Sequence, residues 1–309
     1  MMFLRKLALS VAALALFQAG PALAEQQKHP TPVANAKAAA PAGMARPALW
    51  KVSDPDTTIY LFGTIHALPG GINWFEGPVA KAFNASEALV TEIPEADPAA
   101  MQGTVMKLAA LPRGESLRTM LSAKDNAALD KALKDLSLPK SALDQFEPWF
   151  VAVTLGTMPL LRNGYSAENG IEMQLQNRAK AAKRPHLGLE TVEFQLGIFD
   201  SLPRKKQVTY LRQVIKGLPK FKQQLDGMVK YWSTGNATRL GQMINADQSD
   251  PALMKALLSN RNRNWTGWIR NRLDQPGTVF VAVGAGHLAG RDSVQAMLKK
   301  RGIKVTRVQ

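Results

Sequence analysis

The run from Thr278 to Gly290 constrains this chain more than any other stretch. Thr278-Val-Phe-Val-Ala-Val283 is apolar and β-branched. It is too short for a helix, so it reads as a buried strand. Gly284 and Gly286 end it, residue types that permit positive φ and a tight turn. His287 follows at once. Asp292 to Lys300 then has helical spacing, with Val294, Met297 and Leu298 on one face. An imidazole placed where a buried strand gives way to a helix lies at the carboxyl edge of an α/β sheet, where ligands bind.

A second stretch repeats the design. Thr58-Ile-Tyr-Leu-Phe62 is β-rich, and Gly63-Thr-Ile-His66 ends it. Both sites read G-x-x-H, at opposite ends of the chain. Two further predicted strands end in a carboxylate: Glu87 to Ile93 delivers Glu92, and Arg184 to Thr191 delivers Glu190. Between Pro98 and Leu161, and again between Thr191 and Leu273, the periodicity is helical, broken at Pro- and Gly-containing turns. A helix is expected from Ser141 onward. Leu49 to Val52 pairs with Thr58 to Phe62 across the turn residues Ser53-Asp-Pro-Asp56. The expectation is one α/β domain over residues 47–309. It has a central mixed β-sheet flanked by helices and a largely helical insertion between the two G-x-x-H motifs.

If the four strands share a sheet, His66, Glu92, Glu190 and His287 converge on one rim. Imidazole plus carboxylate is a ligand set suited to Zn²⁺, Mn²⁺ or Co²⁺. His66, Glu92 and His287 are the candidate ligands, and an ion there would activate water. A metal-free reading uses the same residues: His and Glu as acid and base, with backbone amides at Gly284 and Gly286 facing an oxyanion. Arg261 is either an anion clamp for substrate or a solvated helix residue. His29 and His186 carry no such context. No H-E-x-x-H, G-x-S-x-G, Walker A or cysteine-based motif is present.

The N-terminus reads as an export signal. Arg5-Lys6 precedes an apolar run from Leu7 to Phe17, and Ala22-Leu23-Ala24 fits the small-x-small cleavage pattern. The expectation is a periplasmic or secreted protein cleaved after Ala24, followed by an Ala- and Pro-rich disordered linker to Arg46. With no cysteine, neither disulfides nor a lipidated cysteine can be involved. The formal charge of +15 is concentrated between Arg204 and Lys230. In an exported protein this points away from nucleic acid. It suits a solvated helix face or peripheral contact with an anionic membrane surface.

These motifs resemble the TraB/GumN family, which includes the Tiki proteins. Leu49-Trp50-Lys51-Val52 leads to Gly63-Thr64-Ile65-His66, and Glu92 follows. Pro148-Trp149, Leu189-Glu190-Thr191, Arg261-Asn262-Arg263-Asn264-Trp265 and Val283 to Gly290 complete the pattern. The resemblance implies a fold like that of erythromycin esterases and ChaN-type proteins. It also implies a divalent-metal-dependent protease site at His66, His287 and Glu92, acting on a peptide or protein substrate. One departure is Gly170-Ile171-Glu172, where many members have G-V-D. A non-catalytic protein that captures a peptide signal or polysaccharide, and an esterase on the same fold, are the alternatives.

Overall fold

The computed structural model describes residues 44–95, 97–245 and 250–309. The expected signal segment, and the linker up to residue 43, lie outside the described residues. Ala45 is already buried, and its amide donates to the Asn73 carbonyl, so packing begins just ahead of Pro47.

The first hairpin is β1 (Leu49–Ser53) and β2 (Thr57–Thr64), antiparallel, with Asp54 Oδ1 accepting from the Thr57 amide at the turn. Then come β3 (Leu68–Pro69), α1 (Gly77–Asn84) and β4 (Ala88–Thr91). The first helical stretch holds α2 (Pro98–Ala109), α3 (Leu117–Met120), α4 (Ala123–Asp135) and α5 (Pro148–Arg162). β5 (Tyr165–Ser166) pairs with β3 as a separate small ribbon, a pairing not expected from sequence. α6 (Ile171–Ala181) leads to β6 (His186–Gly188). The second helical stretch holds α7 (Val192–Asp200), α8 (Arg204–Gly217), α9 (Phe221–Ser233), α10 (Ala237–Asn245) and α11 (Pro251–Met254). A π-turn (Lys255–Ser259) joins α11 to α12 (Asn260–Leu273). β7 (Gly277–Gly284), a single-turn helix (Ala285–Leu288), α13 (Val294–Lys300) and β8 (Val305–Arg307) close the chain.

The main sheet runs β6-β4-β7-β2-β1-β8. β6, β4, β7 and β2 are parallel, so their carboxyl ends share one rim; β1 runs antiparallel to β2 and β8. Both faces are covered, which is why these strands read as nearly continuous apolar runs. Phe280 and Ala282 of β7 join Phe62 and Leu89 in a cluster that includes residues of α1, α6, α9 and α10. Val279, Val281 and Val283 point the other way, to Trp265 and Ile269 of α12 and Val294 and Leu298 of α13. The helical insertion has its own core around Trp149, Phe199 and Tyr210. Among the described residues, no helix is long and apolar enough to cross a membrane.

Two expectations need correction. The helix anticipated from Ser141 begins at Pro148, the residue after its N-cap Glu147. Proline lacks the amide that a helix interior needs, and it is favoured at this first position. Gly284 and Gly286 are also not in the positive-φ region, unlike Gly71 and Gly290. Space at Gly284 is tight instead: a Cβ there would lie 3.1 Å from Glu92 Oε1.

Candidate functional site

His66 leaves the carboxyl end of β2, Glu92 that of β4, Glu190 follows β6, and His287 lies in the single-turn helix after β7. The expected convergence is present. The two tetrads are not superimposable by register, however: Gly63 pairs with Val283, and Thr64 with Gly284. The offset of one residue puts the histidines in different surroundings.

Glu92 is the hub. It is 1% exposed. Its Oε1 accepts from the Gly284 amide at 2.8 Å, and its Oε2 accepts from Arg261 Nη2 at 2.5 Å and Gln195 Nε2 at 3.1 Å. Burial pushes its pKa up, but Arg261 and the neighbouring imidazoles outweigh burial and hold it down at about 2. Glu92 is therefore an anion at neutral pH.

Arg261 is equally buried and fully engaged. Its Nε lies 3.0 Å from both oxygens of Glu190, and Nη2 donates to Glu190 Oε2 at 2.7 Å. Nη1 donates to the Leu257 carbonyl at 3.2 Å and to His287 Nε2 at 3.1 Å. The π-turn makes this geometry available: there the Asn260 amide bonds the Lys255 carbonyl, five residues back, rather than four. Trp265 Nε1 and Gln195 Nε2 also donate to Glu190, at 2.9 Å each. Arg261 thus clamps two carboxylates and has no N–H left to offer a substrate. Helix capping at this point falls to Thr191, whose Oγ1 accepts from the Phe194 amide.

Hydrogen-bond logic sets the His287 tautomer. A guanidinium can only donate, so Nε2 is an acceptor and Nδ1 carries the proton. Nδ1 lies 2.6 Å from Asn262 Oδ1, and Asn262 Nδ2 donates to the Asp292 carbonyl at 2.7 Å, which fixes the amide orientation. The ring stacks obliquely on Trp265, centroids 4.3 Å apart.

His66 is held differently. Its Nδ1 lies 2.6 Å from Glu172 Oε1. Glu172 acts on this ring through its charge and through the close side-chain contact. Thr64 Oγ1 donates to the same oxygen. His66 Nε2 is buried and has no hydrogen-bond partner among the described residues. Burial lowers the His66 pKa, but Glu172 and then Glu92 more than compensate, and the net shift is upward. Glu172 is the residue that strand-end reasoning misses, because it sits in the first turn of α6. Gly170 lets that turn close on His66: a Cβ at Gly170 would fall 2.0 Å from the His66 carbonyl.

The ligand set implied by the resemblance was His66, Glu92 and His287. His287 Nε2 and Glu92 Oε1 are 3.8 Å apart, a separation two ligands of one ion can have. Arg261 nevertheless donates to both residues and already supplies the positive charge between them. Among the described residues, no group of three or more His, Cys, Asp or Glu is placed to hold an ion. A metal would require Arg261 to move aside. Of the expected substrate-contacting glycines, Gly284 spends its amide on Glu92, and Gly286 faces a cavity on the far side of the His287 turn.

Half of the cations between Arg204 and Lys230 pair with an acid, and Lys205, Lys216, Lys220 and Lys230 do not among the described residues. Arg204 pairs with Glu115 and Glu147, Lys206 with Asp250, Arg212 with Asp125, and Lys222 with Asp226.

The TraB/PrgY/gumN family model matches residues 48–307. An uncharacterized protein of Treponema pallidum is 24% identical over 269 residues, spanning 82% of this chain and 80% of its own length. The uncharacterized protein YbaP of Escherichia coli is 27% identical over 254 residues, 78% of this chain and 87% of the relative. No solved structure matches.

Proposed function

From the premise that this chain belongs to the TraB/PrgY/gumN family, we propose that it is an exported hydrolase in which His66 activates water to cleave a peptide bond. The observation that carries this reading is the buried Nε2 of His66, without a hydrogen-bond partner among the described residues, with a carboxylate beside the opposite ring nitrogen. An imidazole so placed takes a proton from water at Nε2. Glu172 stabilises the imidazolium that results, and the proton passes to the leaving group. Glu92, ionised and close enough to act on His66 by charge, favours the same cation. Arg261, Glu190 and His287 act as a rigid backing that fixes Glu92.

The test is hydrolysis of peptide and ester panels by purified protein, with and without chelator. His66→Gln should abolish turnover. Wild-type kcat/KM should rise with pH through the raised His66 pKa, because the base must be neutral to accept a proton. Hydrolysis that survives His66→Gln rejects the reading. Saturable peptide binding without turnover would favour the binding-protein alternative instead.

A second reading is the metal-dependent protease, with Mn²⁺, Co²⁺ or Zn²⁺. It is favoured by one feature: His287 has its Nδ1–H fixed outward by Asn262 and its Nε2 lone pair aimed inward, as metal-ligating histidines are held. Calorimetric titration with each ion separates the two readings. Tight one-to-one binding lost in His287→Ala would require Arg261 to swing away and would replace the metal-free scheme.

A further inference from the structure

Beside the His287 turn, lined by residues of α10, α11, the start of α12 and α13, lies an open cavity of about 960 Å³. That is the size of a small-molecule site. Its floor is apolar, formed by Trp50, Met254, Leu258 and Leu288. Its walls carry five cationic side chains, Lys255, Arg263, Arg291, Lys299 and Arg307, against one carboxylate, Asp292. Among the five, only Arg291 lies within 4 Å of an Asp or Glu, Asp292 at 3.9 Å, while Arg307 donates to the Gly235 and Gln309 main-chain oxygens. On α8 and α9, by comparison, Arg204, Lys206, Arg212 and Lys222 each find a carboxylate. A concave surface lined with unneutralised cations concentrates anions, because low-dielectric walls focus the field.

The cavity also touches the candidate catalytic cluster through one shared wall. Asn262 lines it and, 2% exposed, holds His287 Nδ1 from behind. Lys255, Leu258 and Ser259 belong to the π-turn, whose Leu257 carbonyl holds Arg261 on the other side. Ser259 Oγ and Asn262 Nδ2 both reach Asp292, tying the turn to the loop after His287. A ligand bridging Lys255 and Arg263 would therefore contact the segment that positions Arg261 and Asn262.

We propose that this cavity binds a small multivalent anion, one carrying phosphate or carboxylate groups, and that its occupancy is felt at His287 through Asn262. The proposal does not depend on which hydrolytic scheme operates, or on hydrolysis at all. Purified full chain would be titrated calorimetrically at low ionic strength with inorganic pyrophosphate, with citrate, and with uncharged sucrose as control. In parallel, the imidazole ¹⁵N resonances would be followed by NMR. The expected result is one-site binding of pyrophosphate or citrate, not sucrose, that weakens as salt rises. The double charge reversal Lys255→Glu/Lys299→Glu, at two exposed positions, should weaken it about tenfold or more. The His287 ring nitrogens should shift on saturation in the wild type and not in that variant. Absence of saturable binding, or binding indifferent to the charge reversal, overturns the site. Binding that leaves the His287 resonances unmoved overturns the coupling.

Discussion

Among the described residues, His66 keeps a buried ring nitrogen, Nε2, with no hydrogen-bond partner, whereas both nitrogens of His287 are engaged, by Asn262 on one side and Arg261 on the other. The motifs that carry them are alike in sequence. The difference comes from what packs on each. The β2 motif meets the first turn of α6, which contributes one carboxylate. The β7 motif meets α12, which contributes an arginine and an amide at adjacent positions. A repeated tetrad is therefore evidence of a shared rim and not of shared surroundings: among the described residues one histidine keeps a buried nitrogen without a hydrogen-bond partner, and the other has both nitrogens engaged.

If the cluster around His287 is electrostatic, its centre should be the most fragile point. Arg261→Met leaves Glu92 and Glu190 buried and unpaired, and should cost about 3–5 kcal/mol in urea unfolding. Adding Glu92→Gln and Glu190→Gln to it should recover part of that loss. A small effect of Arg261→Met would mean the two histidines are not held as differently as described.

The next largest effect is confined to acid. The Glu92 pKa is depressed to about 2 in the folded protein. A depressed carboxylate contributes stability above its unfolded value near 4.5, and this is lost as pH falls from there toward 2. Glu92→Gln should remove about 3 kcal/mol of that pH dependence, from the size of the shift. Asp125, paired with Arg212, titrates in the same window. The informative quantity is accordingly the difference between wild type and variant across pH 2 to 5.

Much of this arrangement is legible in the chain because a parallel sheet with both faces covered writes itself as apolar runs. The residue just past each run must then stand on the rim. That rule finds His66, Glu92, Glu190 and His287 from local pattern alone. It cannot find Glu172, which belongs to a helix brought to His66 by the close approach of Gly170. It leaves Arg261 undecided between substrate clamp and surface residue, because the decision depends on the π-turn and on two carboxylates far away in sequence. The glycines illustrate a subtler limit. Their presence at Gly284 was readable, but the reason was space for Glu92 rather than a left-handed backbone. The β3–β5 ribbon has two residues per strand, too short to leave any period.

The open side of the comparison predicts a separation of function from stability. His66→Gln removes an imidazole whose Nε2 bonds nothing among the described residues. Measured above the folded His66 pKa, where the imidazole is neutral and no charge pair with Glu172 is lost, its stability cost should stay near 1 kcal/mol, that of one modest polar contact. If the protein hydrolyses peptides as proposed, kcat/KM should fall about 10²–10⁴-fold, the usual contribution of a general base. Comparable losses of stability and turnover would mean that His66, like His287, is structural.

The smallest effect is the most specific. Glu172→Gln keeps the shape beside His66 and removes its nearest negative charge. Burial alone would then dominate, and the His66 pKa should fall, as read by imidazole NMR across pH 5 to 9. The linkage has a definite sign. A histidine whose folded pKa is raised contributes stability below its unfolded value near 6.5, and loses it as pH rises through the folded value. Wild-type stability should therefore decline on the alkaline side of 6.5, and Glu172→Gln should flatten that decline while leaving the acid limb set by Glu92 in place. His287 resonances should not respond, because Arg261 and Asn262 hold that ring independently of Glu172. Equal shifts at both histidines would show that the two motifs form one coupled unit.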